Sequence, residues 1–469
     1  MRRFGVGLVV LLLPLLLLVG GCGETQHAQL TTRHAPAAAL QPPKRPKPSW
    51  IRLVVLDGDL STPVRGATVH VMGRPGRTNR HGIARILLPH RGRLITTVAK
   101  HGYDPFTRRI KWSNRPLVAV RVFQTKLQWT MYGATPQRTQ GQPYIHVRPP
   151  FRLVWSKPVG ALIEFPAVVD DEVAFVSNFH GVVRAFSMRT GATVWRRATP
   201  HGKMAASPAV VGKVLVVHGM DGHVWVLDRY NGRVLWTYYT GAPIESSPVV
   251  VDGVDYFGNW AGRIYALDLR THHARWTYGS GYKITSSAAL VNGTVYIGDY
   301  GGRLLALSAR NGRLRWSSSV NGRVYGTPAV ANGRIFVPSS TGNSLTAFSR
   351  TGRRLWSLNT GAYVYSSPSV WNGRVYIGSY TGALYCLSAS SGRILWTFSS
   401  GGAIGGASTI VDGIVYFANR RHRIYGVNAR TGRQVFQFPD GAFVPVSGNG
   451  RRLLLHGFSR LYAVESRHR

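Results

Sequence analysis

A chain of 469 residues exceeds what one hydrophobic core serves, so it must hold several domains or one repeating architecture. With 54 Gly and 26 Pro, and 44% hydrophobic residues, the composition favours many tight turns and argues against long helices. Of the 58 basic residues 49 are Arg; with only 18 acidic residues the net charge is +40, which fits a polyanionic partner or a solvated surface that uses Arg in place of Lys.

Residues 1–21 read as a secretory signal, because Arg2 and Arg3 precede an apolar run, Leu8 to Val19, that is short for a membrane span. The run ends in Gly20-Gly21-Cys22, which resembles the lipobox of bacterial lipoproteins. Cys22 is therefore the expected lipidation site, an ordinary cleaved signal being the alternative, and the mature chain is expected to be exported, extracytoplasmic and membrane-anchored. Export argues against nucleic acid as a partner. Cys386 is the only other cysteine, so acylation of Cys22 leaves no intrachain disulfide. Residues 22–49 read as a stiff basic tether, with Pro36, Pro42, Pro43, Pro46 and Pro48 among Lys44, Arg45 and Lys47.

Alternating runs at Ile51–Val55, Ala67–Val71 and Leu117–Val122 predict strands over residues 50–125. The segments Pro63–Val69, Thr78–Ala84 and His101–Pro105 resemble the carboxypeptidase regulatory-like, transthyretin-like sandwich; that resemblance implies a spacer or adhesive unit. Residues 126–150 read as a linker.

From residue 151 the chain repeats. Trp155, Trp195, Trp236, Trp276, Trp316, Trp356 and Trp396 follow at intervals of 40 or 41, and Phe436 takes the next place. Within one unit, Ser247–Val251, Val254–Gly258, Arg263–Leu267 and a segment reaching Trp276 predict four strands, with Asp252-Gly253 supplying a hairpin turn. A period near 40 with several strands per unit is the signature of propeller blades. Third-strand cores from Ala185-Phe186 to Ala463-Val464 predict eight blades. The last unit ends without a fourth strand, and Phe151–Trp155 has the composition to supply it and close the ring. The expected fold is thus all-β: an eight-bladed β-propeller behind a small β-sandwich.

The run from a small residue to Trp, as in Ala266 to Trp276, is similar to the tryptophan-docking motif of quinoprotein dehydrogenases and of BamB-type lipoproteins. Trp129 to Thr139 resembles the stretch before the first blade in that superfamily. The resemblance implies a structural role for each Trp, locking blade to blade. It also raises a quinone enzyme, in which pyrroloquinoline quinone stacks on adjacent paired cysteines and calcium sits on carboxylates. This chain has no adjacent cysteines, and its one local acidic run, Asp170-Asp171-Glu172, reads as a surface turn. Cys386 stands where other units have Ala or Gly and reads as a packed small residue, and His272-His273 as a solvated turn. No catalytic residue, metal site or cofactor is expected.

Blade topology sorts the turns onto two faces. Third-to-fourth turns carry Arg233, Arg310, Arg313, Arg350, Arg353, Arg393 and Arg433, with Arg229 among others, predicting a basic face. The opposite face receives Phe179, Trp260, Tyr300 and Tyr380, together with Tyr282, Tyr325, Tyr363 and Tyr365. Aromatic residues at a channel mouth suit extended ligands or simply plug the channel. The leading reading is a monomeric, non-catalytic envelope scaffold that binds proteins or an anionic polymer, similar in part to BamB-type assembly factors. A small-ligand sensor and a quinone-dependent dehydrogenase are the alternatives.

Overall fold

Apolar residues at every second position of Ser49–Asp57 place Ile51, Leu53 and Val55 on one wholly buried face. The computed structural model describes residues 48–113, 117–199 and 202–467; the signal segment, Cys22 and nearly all of the tether fall outside them. Ser49–Asp57 is the middle strand of a sheet ordered Ile83–Leu88, Ser49–Asp57, Leu117–Val122. A second sheet runs Arg74–Arg77, Thr68–Val71, Gly92–Ala99, Phe106–Trp112. Both contribute to one apolar cluster containing Leu53, Val69, Ile86, Val98, Trp112 and Val120.

Beyond Val168 the strands come in fours, each group antiparallel and ordered as in the chain. In Val249–Val251, Val254–Gly258, Arg263–Asp268 and Ala274–Gly279 the first three strands are almost wholly buried, while the fourth alternates buried and exposed. Asp252 and Gly253 have φ of 50° and 73°, the left-handed pair that matches a tight hairpin to the strand twist. Among the described residues eight such sheets follow one another. In the eighth, Phe151–Pro158 pairs antiparallel with Arg460–Ser466, with Trp155 opposite Ala463. The architecture is a β-propeller.

Neighbouring sheets are joined through the repeated tryptophans. The indole N–H of Trp155 donates to the Met188 carbonyl (2.8 Å), that of Trp195 to Arg229 (2.8 Å), that of Trp276 to Ala309 (2.9 Å) and that of Trp316 to Arg350 (2.8 Å). Trp356 and Trp396 reach Ala389 and Ala429 at 3.2 and 3.3 Å. A glycine of the next sheet lies on six of these rings; at Gly232 (φ 70°) a Cβ would come within 2.5 Å of Trp195. Trp236 differs. His272, with φ of 64°, occupies the glycine place and stacks on Trp236 at 4.4 Å between centroids. The histidine pair is therefore not merely a solvated turn, because one imidazole covers an aromatic face.

Residues 126–150, expected as a linker, form a plug. Trp129 exchanges backbone hydrogen bonds with Val169 (2.9 and 2.8 Å), and the N–H groups of Val210, Leu290, Val330, Val370 and Ile410 donate to the carbonyls of Thr130, Pro136, Gln137, Thr139 and Gln140 at 2.8–2.9 Å. Gly141–Gln142 then add a short strand parallel to Thr409–Val411. These partners belong to the innermost strands of six sheets, so the segment winds about the axis and fills the channel. The physical reason is that innermost strands leave a row of unpaired N–H groups, and a buried donor must find an acceptor. The third sheet is met by a side chain: Arg138, wholly buried, donates to the carbonyls of Pro248 (2.8 Å), Ser247 (3.2 Å), Ala288 (2.9 Å) and Tyr132. Burial lowers its pKa to about 10.

Candidate functional site

The two faces of the disc differ in chemistry and in cover. On the first, Arg233, Arg310, Arg313, Arg350, Arg353, Arg393 and Arg433 are all exposed. Among the described residues none of the seven pairs with a carboxylate. Arg229 is different: it is 5% exposed and ion-paired with Asp170 and Asp171. Asp170 is buried too, so the acidic run is a turn at Asp171 and Glu172 but not a surface feature throughout. The N-terminal sheets lie on this part of the face: Arg108 reaches Asp171 at 3.5 Å, and Arg451 donates to Ser61 at 2.9 Å. The basic face is thus interrupted beside the first and eighth sheets.

The opposite face is built from a repeated position. In the first seven sheets the fourth residue before the innermost strand is Glu164, Ala205, Glu245, Thr285, Tyr325, Tyr365 and Gly405, and of these Glu164, Thr285, Tyr325, Tyr365 and Gly405 line one cavity. Just behind it, hydroxyls tie neighbouring sheets together: the N–H groups of Ser207, Ser247, Ser287 and Thr327 donate to the hydroxyls of Ser247, Ser287, Thr327 and Ser367 at 2.8–3.2 Å. A proline follows three of these serines, at Ser207-Pro208, Ser247-Pro248 and Ser367-Pro368, at the entry to the innermost strands. Tyr132 of the plug donates to Ser367 Oγ (3.0 Å) and forms part of a cavity of about 270 Å3. Glu164, Phe165, Tyr325, Tyr365, Tyr380 and Arg420 line it further.

Of the aromatic residues expected on this face, Tyr325, Tyr363, Tyr365 and Tyr380 come together. Tyr365 lies 5.2 Å from Tyr325 and 5.1 Å from Tyr380, and the rings cross at 82° and 51°. Tyr363 touches Tyr365 and Tyr380 at 5.9 and 6.3 Å. Trp260 and Tyr300 form a second group around Lys283, whose Nζ stands 3.2 and 5.2 Å from their ring centroids. Tyr282 is half exposed and faces Arg303, while Phe179 stands apart against Lys203. Glu245 joins the groups, accepting from Tyr325 Oη at 2.6 Å and Trp260 Nε1 at 3.1 Å. Burial raises its pKa against these hydrogen bonds and the nearby Lys283. Glu164 has no hydrogen-bond partner among the described residues, and burial together with the charge of Glu245 raises its pKa to about 7. Sequence reasoning did not single out Glu164, Glu245, Tyr132 or Arg420. Aligning the repeats would have revealed the two glutamates, since they share one column 81 residues apart in a chain with 18 acids.

The quinone and calcium of the enzyme alternative would need paired adjacent cysteines and free carboxylates at the cavity. Cys386 is wholly buried inside its sheet beside Arg374, and burial raises its thiol pKa. Glu245 already spends both carboxylate oxygens on Tyr325 and Trp260. Among the described residues the only cluster of three metal-ligating side chains is Asp104, Asp170 and Asp171, on the other face, where Arg229 pairs with Asp170 and Asp171. The residues at the cavity do not fit that cofactor and ion.

A family profile described as outer membrane protein assembly factor BamB matches residues 126–289, 260–370 and 350–468. The chain is 31% identical over 84 residues to the outer membrane protein assembly factor BamB of Bordetella pertussis, a match covering 18% of this chain and 21% of that protein. Among solved structures, the quinohemoprotein alcohol dehydrogenase of Comamonas testosteroni superposes with a TM-score of 0.63 at 14% identity, over 72% of this chain and 80% of that one. The computationally designed Ika8 protein superposes with a TM-score of 0.58 at 13% identity, over 69% and 98%. At such identities these two likenesses speak for the fold alone.

Proposed function

Because the chain belongs to the family described as outer membrane protein assembly factor BamB, we propose that it is an exported, lipid-anchored and non-catalytic scaffold that takes part in assembling envelope proteins. In this reading the eight sheets are eight blades, closed by residues 151–158, and the front module is a transthyretin-like sandwich acting as a spacer. The observation that carries the proposal is the family match from residue 126 to 468. The filled channel supports it over a sensor that captures a small molecule within the channel, and the poor fit to quinone and calcium supports it over a dehydrogenase. The aromatic vestibule is the docking face, because its side chains are part-exposed yet held by hydrogen bonds and ring contacts, as binding hot spots require.

The test is genetic. Deleting the gene in the source organism should lower the amount of folded β-barrel protein in its outer membrane, and the wild-type gene should restore it. A version carrying Cys22→Ala should be processed yet lost from membranes and restore assembly only in part. Unchanged barrel levels in the deletion strain would overturn the proposal.

A further inference from the structure

The geometry points to a binding site for one organic ammonium group in the vestibule cavity, with Glu164 as its counter-ion and Tyr325, Tyr365 and Tyr380 as its walls. This rests on reading that face as the docking face, and it adds the chemistry of what docks. Three observations carry it. The cavity is closed below by Tyr132 and the plug, so an occupant enters from one side and ends there. The rings of Tyr325 and Tyr365 cross at 82° and those of Tyr365 and Tyr380 at 51°, so the three stand at different angles as walls of the cavity they line. Walls so inclined surround a compact cation, which aromatic faces attract, better than they stack one flat ring. Of the two carboxylates at this mouth, Glu245 is already held by Tyr325, Trp260 and the nearby Lys283, whereas Glu164 has no bonded partner.

The groups facing Glu164 set its response to pH. Glu245 and Tyr325 couple to its charge, and Arg420 lines the same cavity while donating to Tyr380 Oη at 3.0 Å. A carboxyl with a pKa of about 7 is only part-ionised at neutrality. An arriving ammonium favours the ionised form, so binding should strengthen as pH rises through 7 and be accompanied by proton release. The ammonium could belong to a free small amine or to a lysine side chain of a partner polypeptide, and the site chemistry is the same for both.

The experiment uses purified chain, titrated calorimetrically with n-butylammonium, with n-butanol as neutral isostere, and with a Gly-Gly-Lys-Gly-Gly peptide. We expect butylammonium to bind at least about tenfold more tightly than butanol, and Glu164→Gln to remove about that factor while melting at the wild-type temperature. Tyr365→Leu, which keeps the charge and removes a wall, should weaken binding by a smaller factor. A peptide that binds more tightly than butylammonium identifies a polypeptide as the source; a weaker peptide identifies a free amine. Equal binding of butanol, unchanged binding by Glu164→Gln, or no binding by either ammonium probe would overturn the site. Because these readouts use small probes, a failure of the assembly role in cells leaves them interpretable, and the reverse holds as well.

Discussion

The tryptophans and one aspartate show how single residues carry the junctions of this protein. An indole N–H that reaches a carbonyl of the next sheet contributes about 1 kcal/mol beyond ring burial, and its loss also leaves that carbonyl unpaired. Trp316 makes that bond to Arg350 at 2.8 Å, whereas Trp236 is instead capped by His272. Trp316→Phe should therefore lower stability by about 1 kcal/mol more than Trp236→Phe, measured by denaturant unfolding. Equal losses would show that the ring alone matters. At the other junction, Asp59 accepts from the Gln124 backbone and from Gln128 at 3.1 Å each, yet burial raises its pKa to about 7. The folded carboxyl thus holds a proton that the unfolded one releases near pH 4. Its contribution is full at low pH and is lost as pH rises through 7. The melting temperature should fall between about pH 4 and 7 on this account, and Asp59→Asn should flatten that fall in scanning calorimetry; an undiminished fall would exclude Asp59 as its source.

Among elements, the plug and the strand Phe151–Pro158 both lie ahead of the sheets they complete. A chain beginning at residue 126 keeps both, and one beginning at 159 keeps neither. The first should remain monomeric and unfold cooperatively. The second leaves the edge of Arg460–Ser466 open and the inner N–H groups unpaired, so it should aggregate in size-exclusion chromatography. If the shorter chain is monomeric and equally stable, neither element closes the ring. The hairpins were legible in the sequence, because Asp252-Gly253 and its counterparts carry the turn chemistry that fixes register, and the Trp period is long-range but regular. The plug was not. Its bonds come from main-chain groups, such as those of Pro136 and Gln137, and they are made to strands from about 40 to 270 positions later. Within the site, the tyrosines were legible as loop aromatics, but the glutamates were not, because each falls in a repeat position whose other occupants are apolar, small or aromatic.

For the molecule as a whole, the arginine excess is distributed rather than random. Seven exposed guanidinium groups with no carboxylate partner among the described residues stand on one face, beside a region covered by the N-terminal sheets. Like charges so placed repel one another and gain from a polyanion nearby. Replacing Arg310, Arg313, Arg350 and Arg353 with Ser should weaken binding to phosphatidylglycerol vesicles by about tenfold at low salt, with a smaller difference at high salt. Binding that is insensitive to both salt and substitution would reduce the excess to a compositional habit of the surface.

The pairing of Arg152 with Glu465, 313 positions apart, also sets a timetable. The plug and the closing strand leave the ribosome first but acquire their full set of partners only when the last strands arrive. Contacts so distant along the chain form slowly, since the loop entropy is lost before they give anything back. Until those strands arrive, the plug and the closing strand therefore carry unpaired main-chain groups, in the state most exposed to aggregation.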